Sequence, residues 1–323
     1  MELFFKKPSR DAREAMCQAS LEIENQKKGN EYRKAAEDVL RKVTGHSHAR
    51  MLCSGNAAIM AAMSIMKGPV MLPDQGGWSG FIKMAEFFGL EIVYVPTRMG
   101  VIDLRILEDY IISKNPESLF ITSFAGYMAE QPVREIYELC DSNNVTLVED
   151  ASGAVGDRDK NLAWGENSHI MVASTGAPKM VNLGNGGFIS TDKPEFFNRA
   201  HYILKTLKCS PVTCAGLVEE IKKTPENLHR TIAACQFLKK RIPSSLHQDK
   251  SGINVVIPVQ NPKSTANSLR NLITVNGGGM ITTCPRYDRV NDSAVCLEIK
   301  NLDIRCLDKD KLKFISEIVE NLI

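Results

Sequence analysis

The sequence lacks the bulk charge that would mark a polyanionic partner. Its 40 basic and 38 acidic residues leave a formal net charge of +2, which gives no electrostatic case for nucleic acid or an anionic membrane surface. Long apolar runs are missing as well, since no stretch approaches the length of a membrane span. Residues 1–17 carry charge from Glu2 onward and have no apolar centre of the kind a secretion signal needs. The nine cysteines, at 17, 53, 140, 209, 214, 235, 284, 296 and 306, are odd in number and none are spaced Cys-x-x-Cys. That argues against a disulfide framework or a zinc site and for reduced, mostly buried thiols. The six histidines are dispersed. His46 and His48 are neighbours without a carboxylate or cysteine at ligand spacing, so they read as loop residues and no metal is expected. Internal repeats and low-complexity tracts are absent. Together these features describe a cytoplasmic protein with neither a nucleic-acid nor a membrane partner.

What is present is an ordinary globular composition, 43% hydrophobic and 24% charged over 323 residues, enough for one large domain or a large and a small one. Residues 11–43 carry helical periodicity that Gly29-Asn30 divides into two helices, with Thr44-Gly45 ending the second. From residue 50 short apolar runs alternate with amphipathic ones. Strands are expected at 50–53, 70–72, 92–95, 118–122, 145–148, 169–172 and 188–191. Helices are expected at 57–66, 78–88, 104–113 and 132–143. This alternation predicts a mainly parallel sheet covered by helices on both faces. Beyond about residue 193 the pattern changes to helices at 194–204, 214–222 and 226–240, then strands at 253–259, 280–282 and 295–299, with helices at 265–272 and 309–322. That implies a small C-terminal α+β domain. The division is placed at 1–205 and 206–323, with the N-terminal segment packed on the smaller part.

In such sheets ligands collect beyond the carboxyl ends of the strands. The polar and glycine-rich turns there are Ser54-Gly55-Asn56, Asp74-Gln75-Gly76-Gly77-Trp78, Ser123, Asp150 and the run Ser174 to Gly187. Ser54-Gly55-Asn56 opens a helix, where outward amides and the positive end of the dipole suit a phosphate; a plain serine cap has the same appearance. Trp78 can offer a stacking face. Asp150, ending a buried strand, can keep a heterocyclic nitrogen protonated. Ser174 can supply a second phosphate hydroxyl. Lys179 stands alone in a run almost free of other charge, between a hydroxyl-rich turn and the cluster Gly184, Gly186, Gly187; burial would free its amine as an imine-forming nucleophile. Phosphate turn, stacking ring, acid and lysine together describe one cofactor, pyridoxal 5′-phosphate.

From about residue 29 to 191 the sequence resembles the DegT/DnrJ/EryC1/StrS aminotransferases, of the fold-type-I class. Cys53-Ser54-Gly55-Asn56-Ala57-Ala58 is similar to that family's phosphate turn. Residues 149–156 resemble its Glu-Asp-x-Ala block, and Ser174, Lys179, Gly184, Gly186 and Gly187 fall at the spacing of its serine, Schiff-base lysine and glycine cluster. The resemblance implies that Lys179 forms the Schiff base, Asp150 holds the ring nitrogen, and Ser54, Gly55, Asn56 and Ser174 hold the phosphate, with Trp78 stacking on the ring. It implies an amino donor, a carbonyl acceptor and a homodimer with sites at the interface. Arg286, in Thr283-Cys284-Pro285-Arg286-Tyr287, is a candidate for gripping a substrate carboxylate. The chain departs from the family at Gly153, where a glutamine or histidine often stands near the pyridoxal 3′-oxygen, and in lacking a Gly-x-Asn-x-Arg segment; its C-terminal part is also shorter. Two alternatives to transamination stay open. One is elimination or β-replacement with the same cofactor, with Cys53, Cys209 and Cys214 as sulfur handlers. The other is a non-catalytic cofactor-binding regulatory protein.

Overall fold

The computed structural model describes residues 2–23 and 26–323. After a two-residue strand, Leu3–Phe4, come two helices, α1 (Arg10–Glu22) and α2 (Gln26–Thr44). The alternating part follows as β1 (His48–Leu52), α3 (Gly55–Met63), β2 (Val70–Pro73), α4 (Ser79–Phe87), β3 (Ile92–Val95), α5 (Leu104–Lys114), β4 (Ser118–Thr122), α6 (Val133–Ser142), β5 (Thr146–Asp150), β6 (Ile170–Ser174) and β7 (Gly187–Thr191). These strands form one seven-stranded sheet in the order β1-β7-β6-β5-β4-β2-β3. Strands β2 to β6 pair in parallel, and β7 runs antiparallel to both β6 and β1. The reversal at β7 is what brings the carboxyl end of β6 beside the start of β7, with Ser174 opposite Gly187 and Gly187 opposite Leu52.

The central strands are buried on both faces because helices cover both, so their sequences show no alternation of polar and apolar residues. Side chains nonetheless divide with period two: Leu119, Ile121, Leu147 and Met171 enter one core, while Phe120, Val148, Ile170 and Val172 enter the other.

The longer elements that follow are α7 (Pro194–Arg199), α8 (His201–Thr206), α9 (Pro211–Glu220), α10 (Thr224–Arg241), β8 (Val255–Pro258), α11 (Pro262–Leu272), β9 (Ile281–Cys284), β10 (Ala294–Leu297) and α12 (Lys309–Glu320). Strands β8, β10 and β9 make an antiparallel sheet in that order. Its core, including Leu238, Val255, Leu297 and Ile315, is separate from those of the large sheet. Leu3 enters that same core, and Leu3–Phe4 pairs in parallel with Val275–Asn276.

Several sequence expectations are corrected. Gly29-Asn30 does not divide the N-terminal helices. The chain leaves the first at Ile23, whose amide still bonds the Ala19 carbonyl, and Gly29 is buried inside α2. A Cβ on Gly29 would sit 3.2 Å from Pro211 Cγ, so this glycine permits the close approach of α9 rather than a break. The helix expected at 214–222 begins earlier, at Pro211, because Ser210 caps it and accepts from the Val212 amide, with proline at a position that needs no donor. His46 does lie in a loop, as expected, but its ring is enclosed. It is buried, with Nδ1 2.9 Å from Ser190 Oγ and Nε2 3.0 Å from the Ser168 carbonyl. His48 opens β1.

Candidate active site

The carboxyl ends of β1, β5 and β6 lie along one edge of the sheet, and the turns singled out in the sequence converge there. Ser54 pairs with Gly186 as an isolated bridge. Its hydroxyl caps α3, accepting from the Ala57 amide at 3.0 Å, which leaves the first amides of the helix facing outward without helical partners. Glycine is required where these turns meet. A Cβ on Gly55 would lie 2.6 Å from Ser174 Cβ, and one on Gly187 would lie 2.5 Å from the Gly55 nitrogen. The structure therefore packs the α3 entry, Ser174 and the glycine cluster into one cradle with no room for side chains between them.

Asp150 ends β5, buried, with Oδ1 accepting from the Ser152 amide at 2.9 Å and from Ser152 Oγ at 2.5 Å. The Ser152 hydroxyl in turn accepts from the Ser174 amide at 2.8 Å, so the acid and the cradle are tied through one serine. Burial pushes the Asp150 carboxyl above its ordinary range, while the Lys179 ammonium nearby pulls it back down.

Lys179 sits on the loop between β6 and β7. The loop is held by Thr175, whose amide and hydroxyl donate to the carbonyls of Gly186 and Asn185 and whose carbonyl accepts from the Leu183 amide. From the N-terminal segment Lys6 Nζ donates to the Lys179 and Met180 carbonyls at 2.9 and 3.2 Å, and burial lowers this Lys6 amine to about 8. The Lys179 amine itself is lowered by burial, with Asp150 acting in the opposite sense. Its Nζ lies 5.3 Å from the centroid of the Trp78 ring. Trp78 precedes α4 and donates from Nε1 to Asn56 Oδ1 at 2.9 Å, which fixes the ring against the α3 turn. The structure thus brings Ser54, Gly55, Asn56, Trp78, Asp150, Ser174 and Lys179 to one place.

Arg286 is differently engaged. It is half exposed and its Nε donates to Asp288 Oδ1 at 3.0 Å. Cys209 and Cys214 are buried, whereas Cys53 is exposed.

Two groups at this site went unnoticed in the sequence. Lys179 Nζ donates to Tyr127 Oη at 2.6 Å, and Tyr127 lies on the hairpin 124–130 just beyond β4. The second is a buried ion cluster from the C-terminal half. Arg289 Nη2 is 2.5 Å from Glu298 Oε1, Lys300 Nζ is 2.7 Å from Glu298 Oε2, and both cations face the Tyr127 ring, at 4.9 and 5.2 Å from its centroid. The signal that was available is Gly153: a Cβ there would meet Tyr127 Cδ1 at 3.1 Å and Ile253 Cδ1 at 3.0 Å. A glycine in place of a larger residue marks space that another side chain fills, and Gly126-Tyr127, at a strand's carboxyl end, was the stretch able to fill it.

A mainly parallel sheet bearing a buried acid and a lysine at its carboxyl edge, beside a small α+β domain, is the architecture of fold-type-I pyridoxal-phosphate enzymes. Within that class the chain belongs to the DegT/DnrJ/EryC1/StrS aminotransferase family, whose sequence profile matches residues 9–213. A second profile, the MJ1341 family C-terminal domain, matches residues 225–320. Among curated relatives, the UDP-4-amino-4,6-dideoxy-N-acetyl-beta-L-altrosamine transaminase of Campylobacter jejuni subsp. jejuni serotype O:2 is 25% identical over 66% of this chain and 61% of its own length. The chain thus spans about three-fifths of the length of the curated relatives it matches. Among solved structures, Helicobacter pylori PseC, an aminotransferase involved in the biosynthesis of pseudoaminic acid, superposes with a TM-score of 0.80 at 15% identity, covering 100% of this chain and 99% of that one. A DegT DnrJ EryC1 StrS aminotransferase from Brucella abortus gives a TM-score of 0.75 at 14% identity over 96% and 95% of the two chains.

Proposed function

We propose that the protein is a pyridoxal-phosphate-dependent aminotransferase acting on a small amino donor and a carbonyl acceptor. The observation that carries the reading is the position of the Lys179 amine, which lies against the Trp78 face and in electrostatic contact with the buried Asp150. The residues present fit the cofactor. The entry of α3, with its first amides free of helical partners and Ser174 packed beside it, suits a phosphate held by Ser54, Gly55, Asn56 and Ser174. Trp78 would cover a ring face, and Asp150 would keep a ring nitrogen protonated. When bound, the cofactor supplies an electron sink for a carbanion at the substrate carbon.

The protein's own part is proton handling and orientation of the amine. With the cofactor bound, Lys179 Nζ would be the group that takes a proton from the substrate carbon and gives one back. Burial shifts this amine toward the neutral, proton-accepting form, with Asp150 acting in the opposite sense. Trp78 and Tyr127 flank the amine, with their ring centroids 5.3 and 4.9 Å from Nζ. Family membership favours transamination over elimination or β-replacement, and the burial of Cys209 and Cys214 gives sulfur chemistry no accessible thiol at those positions.

The finer reading assigns residues 1–205 to cofactor binding and 206–323 to a smaller domain, in keeping with the separate C-terminal core. It takes the protein to be a homodimer in the cytoplasm. Free thiols at all nine cysteines suit a reducing compartment. No helix among the described residues is long and apolar enough to cross a membrane. The experiment is the visible absorbance of the purified protein loaded with pyridoxal phosphate. A band that shifts when amino acids are added supports the reading; a protein that stays colourless after reconstitution overturns it.

A further inference from the structure

We propose that Tyr127 is the positioning residue for Lys179: its phenol oxygen accepts a hydrogen bond from Nζ and holds the protonated amine beside the Trp78 face whenever that amine is not bonded to cofactor. This rests on the functional reading above for its meaning in catalysis, but the contact itself is a property of the chain alone.

Three observations on the geometry carry it. The first is the Lys179 Nζ to Tyr127 Oη distance of 2.6 Å, short for a hydrogen bond from nitrogen. The second is the conformation of Tyr127, which holds a φ of +62°, in the left-handed region that bulky side chains avoid. Such a conformation persists where the surroundings over-determine it and clusters at functional sites. Here the C-terminal half enforces it. The Ile253 and Asn254 amides donate to the Tyr127 carbonyl at 2.8 and 2.9 Å, and Gly126 lies against the Arg289 backbone, where a Cβ would be 3.0 Å from its carbonyl oxygen. The third is the fit of the ring, which rests on Gly153 and presents its faces to Lys179, Arg289 and Lys300 at 4.9, 4.9 and 5.2 Å from its centroid. A side chain at residue 153 would displace the ring and with it the hydroxyl.

The charges acting on Lys179 come from both halves of the chain. Asp150 favours the ammonium; Glu298 and Asp288 act in the same sense, and Arg289 acts against it. Lys300, paired with Glu298, adds a further cation in this cluster. Tyr127 adds a neutral acceptor, since burial keeps its phenol protonated. A hydroxyl that accepts from an ammonium stabilises the charged form more than it stabilises the neutral amine by donating to it. Tyr127 therefore helps to retain the proton that Lys179 must deliver, and keeps Nζ aimed at one place while it does so.

The test is the pH dependence of lysine acylation by acetic anhydride on the full-length protein without cofactor, read by mass spectrometry on the peptide containing Lys179. Tyr127→Phe preserves the ring on Gly153 and removes only the hydroxyl. The expected result is a Lys179 midpoint lower by about one pH unit, the difference between a hydrogen bond to a charged and to a neutral group. Site-specific 3-fluorotyrosine at 127, which keeps the whole side chain but weakens the oxygen as an acceptor, should move the midpoint the same way by less. This keeps the proposal testable if the phenylalanine variant does not fold. On the loaded enzyme, the kcat pH profile of either variant should move in the same direction while KM changes little. A Lys179 midpoint unmoved in both variants overturns the proposal. Failure to take up pyridoxal phosphate would overturn the functional reading instead, and leaves the acylation result intact because it uses no cofactor.

Discussion

Replacing Gly55 by alanine adds one methyl group at the closest approach in the cradle. The new Cβ would stand 2.6 Å from Ser174 Cβ and 2.9 Å from Ser174 Cα, roughly 1 Å inside the contact distance of two carbon atoms. Neither side yields easily. Ser174 is fixed by its ladder position opposite Gly187 and by the bond from its amide to Ser152, and the α3 entry is fixed by the Ser54 bridge to Gly186. Overpacking of this kind costs about 1–3 kcal/mol. Alanine recovers up to about 1 kcal/mol through helix propensity and a stiffer unfolded chain, so at full recovery the net loss is about 0–2 kcal/mol. Two glycines serve as controls. Gly279 has nothing within 4 Å of an added Cβ, and Gly184 has equal space but a φ of +80°, so Gly279→Ala should be neutral and Gly184→Ala should show backbone strain alone. The assay is chemical denaturation of the three variants, paired with the affinity for pyridoxal phosphate. Gly55→Ala should lose both stability and at least tenfold in cofactor affinity, while Gly279→Ala keeps both. A Gly55→Ala protein with wild-type stability and affinity would refute the tight apposition of the two turns.

Other expectations follow from buried charges. Burial raises the Glu149 carboxyl from 4.5 to about 7, so between those values the folded protein binds a proton that the unfolded chain has released. Stability should fall as pH rises through this window, by at most about 3 kcal/mol. Glu149→Gln keeps an acceptor for Ser123 and the Ala163 amide and should flatten that slope in urea melts between pH 4.5 and 7; an unchanged slope contradicts the assignment. Lys239 Nζ donates to the Met128, His247 and Lys250 carbonyls, each at 2.8 Å. Lys239→Met leaves those acceptors unpaired and should cost about 3 kcal/mol or more in the same melts; a loss under about 1 kcal/mol would show that water replaces the amine. Lys179→Ala should abolish the Schiff-base band of the reconstituted protein, and a variant that keeps that band would contradict the role given to this lysine.

Much of the fold was legible because local rules decide it. The runs at 118–122 and 145–148 are too short for helices and too continuous for half-exposed strands, which leaves a sheet covered on both sides. The convergence of Ser54, Asp150 and Ser174 follows from topology, because parallel strands place their carboxyl ends on one edge. What the sequence did not disclose depends on contacts between distant segments. Gly29 reads as a helix breaker until Pro211 is seen to press on it, and nothing local to His46 shows that its loop position is buried against Ser168 and Ser190. Tyr127 has no local signature at all. Its position is set by Gly153, Ile253 and Asn254, which are remote from it in the chain, and by a left-handed backbone conformation that tyrosine rarely adopts.

The central claim, a cofactor carried covalently by one lysine, is tested most directly by reducing the reconstituted protein with borohydride and mapping the pyridoxyl adduct by peptide mass spectrometry. The account predicts a single stoichiometric adduct on the peptide containing Lys179. No adduct, or one spread over surface lysines with Lys179 unmodified, would contradict it.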